Sequence, residues 1–331
     1  MEETRSIRNH FSKIGGIYFI FGLLAFATQN GLVWLVKSFT PRLLENTAVS
    51  LLISMIPLYC IATPICIWMM KKLPATHIEQ KKMRPGKLVV ALIITFAGMY
   101  IGNIVGLILT AIIGAIKGSA VNNDIVNVVM GTDMWGTVLV VVLIAPLVEE
   151  FLFRKLLIDR VVKYGEGLAV VLSGMMFGLF HGNLNQFFYA TIIGMMFAYI
   201  YVKTGRIWYS VLMHMIINFF GSVVAVLVIQ SIDLEGIAAL ESMDPNNMEA
   251  MTEQLMAILP SLVVYMIYIV FLLGVILAGV ILFALNRRKF VCSAGELEMT
   301  KKEKRKLVLG NVGMILYILY WIVMMVIQFM Q

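Results

Sequence analysis

Two adjacent carboxylates and an arginine, Glu149-Glu150-x-x-x-Arg154, stand inside a long apolar run. A charge at the centre of a bilayer costs about 2.5–3.5 kcal/mol on insertion scales, so three together need a use. Glu150 and Arg154 are four residues apart, share a helix face and can neutralise each other. Glu149 is rotated about 100° from its neighbour and is free to present its carboxylate elsewhere. Pro146, just before, removes a backbone hydrogen bond and bends the helix at that point. Of only four histidines in the chain, His181 and His214 also fall in apolar runs. Phe177 and His181 share one helix face by their spacing, as do His214 and Asn218. One carboxylate, two imidazoles and an amide suffice for hydrolysis: a base to activate water, and donors to hold a developing oxyanion. The packing alternative is a buried ion pair with hydrogen-bonded core histidines. It accounts for Glu150 and Arg154 and leaves Glu149 without a partner.

The elements that must position these groups are membrane helices. The chain has 331 residues, 60% hydrophobic and only 14% charged, with a mean hydropathy of +0.91. A soluble domain of that size carries nearer a quarter charged residues. Nine apolar runs are long enough to span, at about 20 residues each. They cover roughly 14–36, 48–70, 88–116, 135–158, 167–182, 186–203, 207–230, 258–285 and 308–329. The expected fold is an all-α polytopic transmembrane bundle with its chemistry in the fourth to seventh spans. The expected division is 1–87, two spans and a basic loop; 88–230, the membrane core; and 231–331, an acidic loop and two more spans.

Orientation follows the Lys and Arg bias of the loops. Basic residues crowd 71–87 and 286–307, which are expected on the cytoplasmic side. The loop 231–257 holds six acids and no base, and 118–134 holds Asp124 and Asp133 and no base, so both are expected outside. Nine spans with the N-terminus inside satisfy all four. The polar N-terminus is followed by no cleavable signal pattern, so the first run is expected to stay as an uncleaved anchor in a plasma membrane, bacterial by inference. The net charge of +7 is dispersed among short loops and builds no nucleic-acid groove. Cys60, Cys66 and Cys292 form no disulfide framework and no metal spacing.

Two smaller features bear on the core. Gly174-Met175-Met176-Phe177 and Gly194-Met195-Met196-Phe197 echo each other at a twenty-residue step, which predicts close helix contact. His181 lies at the far end of its run and His214 about 10 Å from the near end of its own. They can meet only if the fifth helix stops mid-membrane, with 182–186 forming a polar turn in a water-accessible cavity.

These motifs, in this order, resemble the CPBP family of intramembrane proteases, which includes CAAX proteases and bacteriocin-processing enzymes. The match is Glu149-Glu150-x-x-x-Arg154, then Phe177-x-x-x-His181, then His214-x-x-x-Asn218, with Thr204-Gly205 and Trp208 before the last histidine. It covers roughly 88–230. The resemblance implies that Glu149 activates the attacking water with His181, that His214 and Asn218 hold the oxyanion, and that Glu150 with Arg154 supports the site. It implies a membrane-associated or leader-type peptide as substrate and the bilayer as setting. A divalent metal such as zinc, held by Glu149, His181 and His214, stays open, and so does a metal-free glutamate mechanism; no His-Glu-x-x-His zinc signature is present. Two other functions use the same groups. A proton-coupled transporter places charges in spans but is often built from repeats, and none is strong here. A non-catalytic scaffold or immunity protein would keep the motif as packing.

Overall fold

The computed structural model describes residues 2–119, 134–296 and 299–330. All their regular structure is helical, apart from one isolated bridge between Gly165 and Ala294. Residues 120–133, with Asp124 and Asp133, lie outside the described residues.

Among the described residues, eight helices are long and apolar enough to cross a membrane. They are α1 (Glu2–Phe39), α2 (Val49–Lys71), α3 (Pro85–Lys117), α4 (Met134–Tyr164), α6 (Leu184–Thr204), α7 (Ile207–Gln230), α8 (Met248–Lys289) and α9 (Val312–Met330). Between them α5 (Glu166–Phe180) has 15 residues, about 22 Å at 1.5 Å per residue, short of a ~30 Å hydrocarbon core. The nine expected apolar runs are therefore eight long helices and one short one. The chain is a polytopic, all-α membrane protein.

α5 and α6 form an antiparallel hairpin. Its base is tied by the Lys203–Glu166 ion pair. Its middle closes because Gly174 and Gly194 face each other: a Cβ on Gly194 would stand 3.1 Å from the Cα of Gly174. The two echoed motifs are thus partners across one helix contact. At the tip Gly182 turns with φ +59 and the Asn183 side chain caps α6 by accepting from the Asn185 amide at 2.8 Å. Asn183 and Asn185 are buried instead of facing open water, and Gly182 packs on Trp321 of α9.

The terminal helices close around this core. A Cβ on Gly15 of α1 would meet the Met314 backbone nitrogen of α9 at 2.4 Å, so the two helices approach at backbone distance. Tyr18 of α1 donates to the Leu152 carbonyl at 2.6 Å, and Tyr317 of α9 to the Met176 carbonyl at 2.6 Å. The flanking segments 1–87 and 231–331 therefore supply walls of one bundle. The three cysteines are free thiols.

The loops sort by charge. The non-helical strap after α2 donates from the Lys81 amide to the Thr204 carbonyl. The segment after α8 reaches Lys163 and Glu166 through the amides of Glu296 and Ser293. The basic loops thus gather at one end of the bundle, beside the α6–α7 turn. The acid-rich segment after α7, with a short helix Leu234–Ser242, leaves from the opposite end of that helix.

Candidate active site

α4 is wound unusually on both sides of its carboxylates. Val138–Ile144 and Phe151–Leu156 are π-helical, and Ala145–Glu150 between them is α-helical. Such widened turns leave backbone carbonyls in need of outside donors. In the first, the Ala145 amide bonds to the Val140 carbonyl, five residues back. The next amide in that register would belong to Pro146, which has none. The stranded Val141 carbonyl instead accepts from Asn218 Nδ2 at 2.8 Å. In the second, Tyr18 serves Leu152, and Ser173 Oγ donates to the Phe153 carbonyl at 2.8 Å. The bend expected at Pro146 is a π-wound segment whose open bond is closed by the seventh run's asparagine.

The charged groups form a chain. Arg154 Nε lies 3.0 Å from Glu150 Oε2, and both side chains are fully buried. That contact is an ion pair, for none of the three guanidinium nitrogens has a hydrogen-bond partner among the described residues. The rings of Phe177 and Phe197 cover the group instead, with centroids 4.6 and 5.5 Å from its central carbon. The other oxygen of Glu150, Oε1, is 3.0 Å from His214 Nδ1. The far nitrogen of that ring, Nε2, faces Glu149 Oε2 at 3.7 Å. Arg154 holds Glu150 as an acceptor, Glu150 fixes the His214 ring, and His214 looks at Glu149. Ser210, one turn before His214, is also within hydrogen-bonding reach of Glu150.

His181 joins through a ring. Its Nδ1 lies 2.8 Å from the Phe177 carbonyl, which takes a hydrogen bond from the Nδ1–H tautomer and leaves Nε2 as a free acceptor. The Phe177 ring stands edge-on to both imidazoles, 4.8 Å from His181 and 5.7 Å from His214. Of the six residues expected at the site, Glu149, Glu150, Arg154 and His214 are in direct sequence of contact. His181 sits one phenyl ring away, and Asn218 is engaged with the backbone of α4. The short α5 brings His181 to the same Phe177 ring that His214 packs on.

Three kinds of site residue escape motif reading. Phe197 packs on His214 at 5.2 Å and covers Arg154; the echo of Phe177 was its signal. Ser210 is four residues before His214, the same spacing that selected Asn218. Tyr59 of α2 and Tyr189 of α6 lie near enough to Glu149 to feel its charge, and nothing in their local sequence marks them.

A catalytic zinc needs three protein ligands converging with an open position. Among the described residues no three His, Cys, Asp or Glu side chains gather in that way. Glu150 and His214 Nδ1 are committed to each other, and the Phe177 ring stands edge-on to both imidazoles. The residues as placed do not form a metal cage.

Residues 131–220 match the family described as Type II CAAX prenyl endopeptidase Rce1-like. A curated relative, YdiL of Bacillus subtilis (strain 168), is named a candidate membrane peptidase and is 32% identical over 79 residues. The aligned part is 24% of this chain and 32% of that protein, so the chain spans about a third of the length of the relative it matches. No solved structure matches the chain. The segment that carries both carboxylates and both site histidines is thus similar to CAAX-protease-like membrane peptidases, as the CPBP resemblance of its motifs implies.

Proposed function

We propose that this protein is an intramembrane endopeptidase that cleaves a membrane-associated or leader-type peptide, with Glu149 as its base. The observation that carries this is the ordered chain Arg154–Glu150–His214–Glu149. It satisfies every charge but one, and the one left over is a carboxylate beside an oriented imidazole.

In the proposed reaction Glu149 takes a proton from water as the water oxygen bonds to the scissile carbonyl carbon. His181, whose Nε2 is free, helps hold that water. The charge that develops on the carbonyl oxygen is met by His214, which in its protonated form can donate from Nε2 while Nδ1 stays on Glu150. Asn218 has a second amide hydrogen beyond the one given to Val141 and can donate it. The Glu149 proton then passes to the departing nitrogen as the C–N bond breaks. A metal held by Glu149, His181 and His214 is the rival arrangement; it would require these three side chains to draw closer than they stand among the described residues.

The basic end of the bundle is proposed to face the cytoplasm of a bacterial plasma membrane, with the N-terminus on that side. The Lys and Arg of 71–87 and 286–307 support it, against the base-free acids of 231–257.

The test is cleavage of a peptide library by purified wild type, Glu149→Gln and His214→Ala in liposomes, with unfolding measured on each. Loss of cleavage in both folded variants is expected. Equal cleavage by all three would remove these residues from the reaction and favour the motif as packing in a scaffold or immunity protein. Loss of wild-type cleavage on chelation, restored by zinc, would favour the metal arrangement.

A further inference from the structure

A second chambered region lies at the basic end of the bundle. A cavity of about 800 Å³ opens between the strap before α3, the start of α3, the end of α6 and the end of α8. Its rim carries Lys81, Lys82, Arg84, Lys87, Lys203 and Lys289, and no acidic side chain lines it. Three of the six are spoken for. Lys81 pairs with Glu79 at 3.0 Å, Lys203 with Glu166, and Lys289 donates to Asn286 at 2.8 Å. Lys82, Arg84 and Lys87 are exposed and have no acid partner among the described residues. The start of α3 adds to them. Its N-cap is Arg84 without a side-chain cap, and the Gly86 it leaves uncovered also lines the cavity. Pro85 has no amide hydrogen and the Lys87 amide bonds to the Arg84 carbonyl, so the Gly86 amide is what the helix start adds towards an anion.

Below the rim the lining turns apolar. Along α3 it runs from Lys87 to Val90, Ala91 and Ile94; along α6 it runs from Lys203 to Ile200 and Met196. Each descent is seven residues, about 10 Å into the bundle. Positive charge at the membrane surface above ~10 Å of apolar wall matches one class of molecule, an amphiphile with a phosphate head and an acyl chain.

The walls are fixed. The Lys81 amide donates to the Thr204 carbonyl at 2.8 Å, and Tyr209 Oη accepts from the Met83 amide at 3.1 Å. Tyr199 Oη donates to the Lys289 carbonyl at 3.1 Å. Gly205 turns with φ +60, and a Cβ there would meet the Glu79 carbonyl oxygen at 2.7 Å. A larger residue would push the strap off.

We propose that this cavity binds an anionic phospholipid, its phosphate held by Lys82, Arg84 and Lys87 and its acyl chain along Ile94, Ile200 and Met196. The site is separate from the carboxylate–histidine chain and does not depend on the proposed peptidase activity.

Native mass spectrometry of the full chain tests it, with phosphatidylglycerol, phosphatidylcholine of the same acyl chains, and glycerol phosphate as the headgroup alone. The wild type is expected to retain phosphatidylglycerol in preference to phosphatidylcholine. Lys82→Ala/Arg84→Ala/Lys87→Ala should cut that preference by roughly fivefold per charge. Should the triple variant not fold, Arg84→Ala alone carries the single fivefold step. Ile94→Trp should weaken phosphatidylglycerol by filling the chain's path. Lys302→Ala/Arg305→Ala/Lys306→Ala, outside the cavity, should change nothing. Three results would overturn the proposal: no preference in the wild type, an equal loss in the outside variant, or full displacement by glycerol phosphate with no effect of Ile94→Trp. The last would mark a free-phosphate site.

Discussion

Glu150 stands between Arg154 and His214, 3.0 Å from each, and is itself fully buried. It is therefore a positioning group, and its removal should be felt first in the fold. Glu150→Gln leaves the Arg154 charge buried without its counter-ion, which costs about 3–5 kcal/mol. Replacing both, Glu150→Gln with Arg154→Met, removes the orphaned charge and should recover much of that loss. Thermal unfolding of the three proteins in one detergent checks it. Equal stability of the single and double variants would show that the pair is not coupled.

Glu149 should behave in the opposite way. Its side chain is 15% exposed and faces the far nitrogen of His214 at 3.7 Å. Glu149→Gln removes only that long contact and leaves the Arg154–Glu150 pair intact, so unfolding should shift by under about 1 kcal/mol. Turnover of a cleaved peptide should fall by about 10²–10⁴, the range for loss of a general base. A folded Glu149→Gln enzyme that keeps wild-type turnover would remove Glu149 as the base.

The division between these two carboxylates was legible in the sequence because it rests on helix geometry. A four-residue step pairs Glu150 with Arg154 whatever surrounds them, and a one-residue step turns Glu149 away. The helix count was legible because hydropathy reports length. His214 between the two carboxylates was not legible, since which groups meet across helices depends on register and depth, and no single sequence carries that. The role of Asn218 on α4 was hidden for a different reason. It follows from π-winding, which has no reliable sequence signature beyond the proline that ends it. Tyr18 and Tyr59 come from helices far away in the chain and Tyr189 from the neighbouring α6, and nothing local distinguishes them from other membrane tyrosines.

The glycine contact between α5 and α6 should govern the position of Phe177. A Cβ on Gly194 would lie 2.9 Å from the Phe177 ring, and that ring touches both imidazoles. Gly194→Ala should therefore cost activity out of proportion to stability: on the order of tenfold or more in turnover, since small displacements at a reacting centre are costly. Kinetics of the variant beside Gly221→Ala, where a Cβ meets nothing within 4 Å, separate the contact from a general glycine effect. Equal activity of the two variants would show that Phe177 absorbs the added methyl.

Asn218 has a bond to the α4 backbone and a proposed role at the oxyanion, which one pair of substitutions can separate. Asn218→Ala strands the Val141 carbonyl, a buried acceptor worth about 1–3 kcal/mol when left unmade. Pro146→Ala supplies the missing amide to that carbonyl, so the double variant should regain stability that Asn218→Ala loses. If the amide also holds the oxyanion, activity should stay low in the double variant while stability returns. Unfolding and turnover measured on all four proteins of the cycle give both answers. Recovery of both together would make Asn218 a structural cap alone, and recovery of neither would place the Val141 bond outside the energetics of α4.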